Sequence, residues 1–287
     1  LSTLQNAGFD PLGMEAFFER LQQNNRWYEN ASTAYISTHP MTSERMSDMQ
    51  NRTRHMSPVT HRDSMDFFLV KARARVLQET TYDGWLKVSK SFENELKRHP
   101  AGYSLVATQY GLSVAYAKMN QKDKALTAIR AAKAASKENS VILDKHLAEL
   151  TYQVAKTQAQ KDQALALAKS TCNQYPYSGL AASNYVELLF QSGKHQELVN
   201  YLRNQSALSR SNPDYHMYLA RSYEALGKKS MAFAATGDMY ALLDNPRAAV
   251  YQFELAQKAN DGDFYIMSEI DAKLREQRQK VLDQKKD

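Results

Sequence analysis

The sequence predicts an all-α fold in which antiparallel helix hairpins stack into a superhelix, preceded by a helical segment of different character. Three observations carry that expectation. The chain has only 10 Gly and 7 Pro in 287 residues, too few to cut it into many short strands and turns. Ala, Leu, Lys, Glu and Gln, all good helix formers, are abundant. Finally, "GKHQELVNYL" and "LGKKSMAFAA" share a Gly turn, with Gly193 and Gly227 spaced by 34 residues, the period of a repeated helix pair.

Composition narrows the function classes. An apolar content of 43% with 24% charged residues is that of a folded protein. No window approaches the roughly 18 uninterrupted apolar residues of a membrane-spanning helix. The 37 Lys and Arg exceed the 31 Asp and Glu by only six and are scattered, which argues against a nucleic-acid surface. A lone Cys172 excludes an internal disulfide framework and leaves the compartment open.

The first residues, "LSTLQNAGFDP", read as the last turn of a helix, a stop at Gly8 and a new start at Asp10-Pro11, where Asp accepts an orphan N–H and Pro lacks one. The chain therefore reads as beginning partway through a longer protein, with any targeting signal further upstream. A helix follows near residues 11–24, with Leu12, Phe17, Phe18 and Leu21 on one apolar face. A polar segment leads into the turn Thr38-His39-Pro40. Thr42 then caps another helix whose Met46, Met49, Thr53 and Met56 form a stripe that needs burial, and "SPVTHRDS" closes this segment. We place the boundary after residue 62, giving units 1–62 and 63–287.

Beyond it the pattern is one of helix pairs, with small or apolar residues where two helices touch, an aromatic later in the second helix and often a closing Pro. These are the features of the tetratricopeptide repeat. A weak first unit runs through Val76, Phe92 and Pro100; clearer ones contain Leu112, Tyr116, Ala125 and Ile129, then Ala164, Ala168 and Pro176. Tyr185 and Leu189 precede one Gly turn, and Leu219, Ala220 and Tyr223 precede the other. The last unit, with Gly237, Tyr240, Ala249, Phe253 and Ala256, overlaps its predecessor by one helix, so a single helix serves both neighbours. Five or so units exceed the three usually needed for stability. A polar capping helix follows, with Ile266, Ile270 and Leu274 on one stripe and the charge pairs Asp271–Arg275 and Glu276–Lys280.

The residues offer little chemistry of their own. None of the seven histidines, His39, His55, His61, His99, His146, His195 and His216, is followed by Glu, so the His-Glu-x-x-His zinc helix is absent. There is no Gly-x-Ser-x-Gly elbow and no phosphate-cradling loop. Cys172, His146, His195 and His216 fall within the repeats and read as packing or surface residues, and the 17 tyrosines as packing between helices. His39 stands apart because the residue before a proline is pushed out of helical conformation, which presents its ring on a fixed turn.

"AGFDPLGMEAFFERL", "STHPMTSERMSDMQNR" and "DFFLVKARARV", followed by the helix pairs and "MYALLDNPRAAVYQFELAQ", resemble in order the later part of the β-barrel assembly-enhancing protease family, periplasmic zinc metallopeptidases joined to a tetratricopeptide domain. The resemblance implies that residues 1–62 are the end of the metallopeptidase domain and that its zinc helix and a further Glu ligand lie upstream of Leu1. His39 would then sit on the rim of the metal cleft, as a fourth ligand or gate over zinc's open position, with Thr38, Pro40 and Arg45 around it and Arg45 anchoring the turn. On this reading the present chain is catalytically inactive alone. Its array would bind unfolded outer-membrane proteins or their assembly machinery in the periplasm. The alternative is a self-contained tetratricopeptide interaction scaffold without enzymatic activity.

Overall fold

The computed structural model describes residues 2–25, 43–54, 56, 63–205 and 212–284. Among these described residues are fifteen α-helices and no strand. The chain divides into two compact units, Leu1–Ser64 and Met65–Asp287.

The first unit contains α1 (Ser2–Asn6), α2 (Leu12–Asn25) and α3 (Ser43–Thr53). The stop at Gly8 is real: it takes a left-handed φ of 78°, and Phe9 N–H reaches back to the Leu4 carbonyl at 2.9 Å, which closes α1. Asp10 Oδ1 accepts from Leu12 N–H at 3.1 Å, the cap its position suggests. Between α2 and α3, the buried Thr53 hydroxyl donates to Glu15 Oε2 at 2.9 Å. The apolar face expected of α2 is only partly covered, since Leu12 and Phe17 are exposed. Thr42 and the side chains of Leu21, Met46 and Met49 lie outside the described residues.

The second unit runs as hairpins: α4 (Met65–Leu77) with α5 (Tyr82–Leu96), α6 (Gly102–Lys118) with α7 (Lys122–Ala135), α8 (Val141–Val154) with α9 (Gln158–Gln174), and α10 (Gly179–Gln191) with α11 (His195–Asn204). Four further helices follow: α12 (Pro213–Ala225), α13 (Lys229–Leu242), α14 (Pro246–Ala259) and α15 (Phe264–Asp283). This is an all-α stack of tetratricopeptide type. The shared helix expected near the end is α13, which packs extensively on both α12 and α14.

One backbone device recurs at four hairpins. Asn120, Gly193, Gly227 and Asp244 take φ of 58°, 67°, 73° and 54°. In each case the next N–H donates to the carbonyl five residues behind it: Gln121 to Tyr116, Lys194 to Leu189, Lys228 to Tyr223 and Asn245 to Tyr240, at 2.9–3.0 Å. That bond satisfies a carbonyl left over at the helix end and reverses the chain, and it requires a residue that tolerates left-handed backbone. Close approach is used as well. A Cβ on Gly237 would lie 2.7 Å from Phe253 Cε1, and one on Gly111 would run into the Phe92 ring, so α13 and α14, and α5 and α6, seat their rings against bare backbone.

The core of this unit is built mainly of two large clusters, one with Leu69, Val76, Phe92, Tyr110, Ile129, Leu143 and Leu150, the next with Ala148, Ala164, Tyr185, Leu189, Leu198 and Leu202, reaching Tyr215, Leu219 and Tyr223 of α12 and Ala235 of α13. A separate small cluster of Ala249, Phe253, Ala256, Ile270 and Leu274 joins α14 to α15. The stripe predicted for α15 is therefore buried at Ile270 and Leu274. One of its two expected charge pairs forms, Glu276–Lys280 at 2.8 Å. The other does not, because Asp271 accepts instead from Gln257 on α14.

Candidate functional site

The residues singled out for the metal rim fall outside what the structure describes. Thr38, His39 and Pro40 lie outside the described residues. Arg45 falls on α3, with its side chain likewise outside them. Among the described residues no group of three or more His, Cys, Asp or Glu could hold a metal, so they offer no ligand set that fits zinc.

The second unit contains a grouping the sequence did not disclose. Ser113 Oγ lies 3.1 Å from His146 Nε2, and His146 Nδ1 lies 3.7 Å from Glu149 Oε2. The order Ser, His, carboxylate is that of an acyl-transfer relay, but the proton runs the wrong way for one. Ser113 has one hydroxyl hydrogen and donates it to the Ala125 carbonyl at 2.7 Å, which assigns the donor role to His146 Nε2–H. Ser113 is also fully buried, with no room for a substrate. Burial pushes the His146 pKa down, although the neighbouring Glu149 carboxylate favours the charged ring. Burial pushes Glu149 up, but His146 and Lys145 outweigh it and hold the carboxyl below its usual value. With the Tyr110 ring edge-on to His146 and Arg73 on the Tyr110 hydroxyl at 3.3 Å, the group is a polar bolt joining α4, α6, α7 and α8. No spacing signals it, because its members meet only when the helices stack.

The other sequence candidates are also interhelix residues. Cys172 is buried, receives the Tyr201 hydroxyl at 3.5 Å, and has its thiol pKa pushed up by burial, the opposite of nucleophile activation. His195 Nδ1 lies 3.3 Å from Ser222 Oγ. His216 Nδ1 lies 3.9 Å from Asp238 Oδ2, whose nearer partner is Lys273 at 2.8 Å. Burial acts to lower the Lys273 pKa, but Asp238 and Glu269 more than reverse it, so the ammonium is held charged where α12, α13 and α15 meet. Tyr110, Tyr152, Tyr185, Tyr215 and Tyr223 are buried and serve packing as expected, whereas Tyr82, Tyr177, Tyr251 and Tyr265 are exposed.

What the array does offer is a groove. Helices α12 and α14 each pack on α13 far more than on one another, and between them α13 is uncovered. The opening encloses about 670 Å³, within the range of small ligand sites. Met217, Phe233, Met239 and Leu255 form a half-buried apolar floor; Arg221, Lys229, Lys258 and Glu224 are exposed around it. The signal that could have found it is α13 itself. "KSMAFAATGDMYAL" is apolar nearly all round, and a helix of that kind either lies wholly inside or leaves apolar surface open.

No protein-family model matches the chain. Solved tetratricopeptide-type structures align with it loosely: MamA has a TM-score of 0.45 at 16% identity, covering 63% of this chain and 93% of that one. A tetratricopeptide repeat protein from Parabacteroides merdae has a TM-score of 0.43 at 12% identity, covering 91% and 98%. Sequence similarity reaches further. The chain is 26% identical over 250 residues to the beta-barrel assembly-enhancing protease of Escherichia coli, covering 84% of this chain and 47% of that protein. A Vibrio cholerae relative of that protease is 23% identical over 279 residues, covering 96% and 55%, so the similarity takes in both units. The chain thus spans about half the length of the curated relatives it matches. Over 84% of its length it is homologous to the beta-barrel assembly-enhancing protease.

Proposed function

We propose that this chain is the C-terminal part of a periplasmic zinc metalloendopeptidase that cleaves or monitors outer-membrane proteins, with the helix array holding unfolded polypeptide or a partner in the barrel assembly machinery. The observation that carries the reading is colinearity: similarity to the E. coli protease over 84% of this chain occupies 47% of that protein, which leaves ample length for a catalytic domain outside it. Zinc would be held by residues upstream of Leu1. His39 would be a fourth ligand or a gate at the cleft rim, flanked by Thr38, Pro40 and Arg45. The chain alone should not hydrolyse peptides, because its sequence has no His-Glu-x-x-His run and the Ser–His–carboxylate grouping described above is buried with its proton directed away from the histidine.

The test is to read the gene upstream of the Leu1 codon and assay the full-length product. A His-Glu-x-x-His codon run, with casein cleavage that a zinc chelator stops and the isolated chain lacks, is the expected result. In that protein His39→Ala should raise basal cleavage while bound zinc stays constant. A gene with no such motif would leave the second reading, a tetratricopeptide interaction scaffold.

A further inference from the structure

We infer that the groove over α13 is a docking site for an acidic, amphipathic segment of a partner protein, one that turns large apolar side chains inward and carboxylates outward. This rests on the reading of the array as a polypeptide-binding module and names what one part of it selects.

The floor sets the first requirement. Met217, Phe233, Met239 and Leu255 are half-buried and present flexible thioethers, a ring and a branched chain, a surface that adapts to several apolar side chains. The walls set the second. Arg221 on α12, Lys229 at the start of α13 and Lys258 on α14 surround the floor, against the carboxylate of Glu224. None of the three cations is ion-paired among the described residues. The nearby Asp261 accepts from the backbone N–H groups of Lys229 and Ser230, both at 2.7 Å, rather than from an ammonium; it keeps its charge, so the rim holds three cations against two carboxylates. Three unpaired cations around an apolar floor attract carboxylates and repel basic segments.

The same charge argument weighs against occupants from within this chain, whose C-terminal "QKVLDQKKD" carries three Lys against two Asp and whose second copy brings a net charge of +6. The walls, α12 and α14, are 13 and 14 residues long, which matches a bound helix of about 12 residues, ~18 Å in length, anchored at i, i+3, i+4 and i+7.

The experiment uses this chain and a labelled peptide of about 12 residues, one apolar face of Leu and Phe and Glu elsewhere, with a twin in which Lys replaces Glu. Fluorescence anisotropy should show the acidic peptide binding at least roughly tenfold more tightly than the twin. The double variant R221E/K258E should lose at least that factor. K87E/K90E, exposed positions on α5 with the same change in net charge, should retain binding. Both pairs lie on the surface, and matching thermal melts establish that each variant is folded. Equal loss in the two variants, equal binding of the twin, or no peptide binding overturns the proposal. An unfolded outer-membrane barrel polypeptide is titrated in parallel. If it binds while the peptide does not, only the groove assignment fails; if neither binds, the reading of the array fails with it.

Discussion

The middle of the array and its C-terminal end solve the same packing problem with different materials. From α6 to α11 the contacts are closed mainly by apolar side chains in two large clusters, edged by the ion pairs Lys133–Asp144 and Lys145–Glu149; of the polar groups inside, Ser113 and His146 are satisfied by one another and by Ala125. At α14 and α15 the apolar cluster is small, while Tyr215, Leu219 and Tyr223 of α12 and Ala235 of α13 still belong to the middle one. Charge completes the small one: Lys273 bridges Asp238 and Glu269, both at 2.8 Å, and Asp261 caps α13 from the turn after α14. A helix inside a stack has neighbours on both sides, whereas one at the end must satisfy its inner face with what few partners remain. The end that depends on charge is also the end where α12 and α14 stand apart and the groove opens.

The hardest test of this contrast removes the ring that anchors the end. Phe253 is 1% exposed and seats against Gly237, so Phe253→Ala should cost about 3–5 kcal/mol. Because repeat stability is a sum of local and nearest-neighbour contributions, the loss should appear as amide-exchange protection vanishing from α14 and α15 while α6 to α9 keep theirs. Uniform loss across the array would mean the two regions are one cooperative block and the contrast is false.

That anchor was legible in the sequence, and the reason is physical. Gly237, Phe253 and Ala256 recur at repeat spacing because bare backbone and a ring must face each other across one pair of helices. The left-handed turns were legible where Gly marks them, at Gly193 and Gly227. Asn120 and Asp244 take the same conformation but are less conspicuous, since both residue types are also common in ordinary turns. The polar bolt was not legible: His146 and Ser113 are separated by 33 residues and by an intervening helix. Nor was the groove, which depends on the separation of α12 and α14 rather than on any local pattern. The metal-rim candidates around His39 fall outside the described residues.

A smaller effect distinguishes the middle by pH. The His146 pKa is lowered from its ordinary 6.5, so below 6.5 the unfolded chain takes up a proton that the folded one refuses, and stability falls as pH drops. Glu149 is held below its ordinary 4.5; its contribution is present above that value and is lost only at lower pH. Between 6.5 and 4.5 the slope due to this bolt therefore belongs to His146 and can reach about 1.4 kcal/mol per pH unit. Urea titrations across that window should show the slope in the native chain and a flatter line in His146→Leu, whatever that variant's absolute stability. An unchanged slope would locate the acid sensitivity elsewhere.

The smallest expected change lies at the charged end. Asp238→Asn keeps the shape but removes the charge facing Lys273, which should cost about 1–2 kcal/mol. Added salt should also destabilise α15 less in the variant than in the native chain, because less Coulomb attraction remains to be screened. Exchange rates at α15 amides, compared with those of α8, measure both effects. Equal salt sensitivity in native and variant chains would show that apolar packing alone holds the end.

The spacing of the last two of the four recurring reversals has a consequence for how such a chain can change over generations. Gly227 and Asp244 are 17 residues apart, half the 34 that separate Gly193 from Gly227, and each closes its helix with the same bond. Here the transferable cassette is one helix with its reversal, not a pair. Adding one such helix with its reversal would send whatever follows it back in the opposite direction, at the cost of one new helix interface.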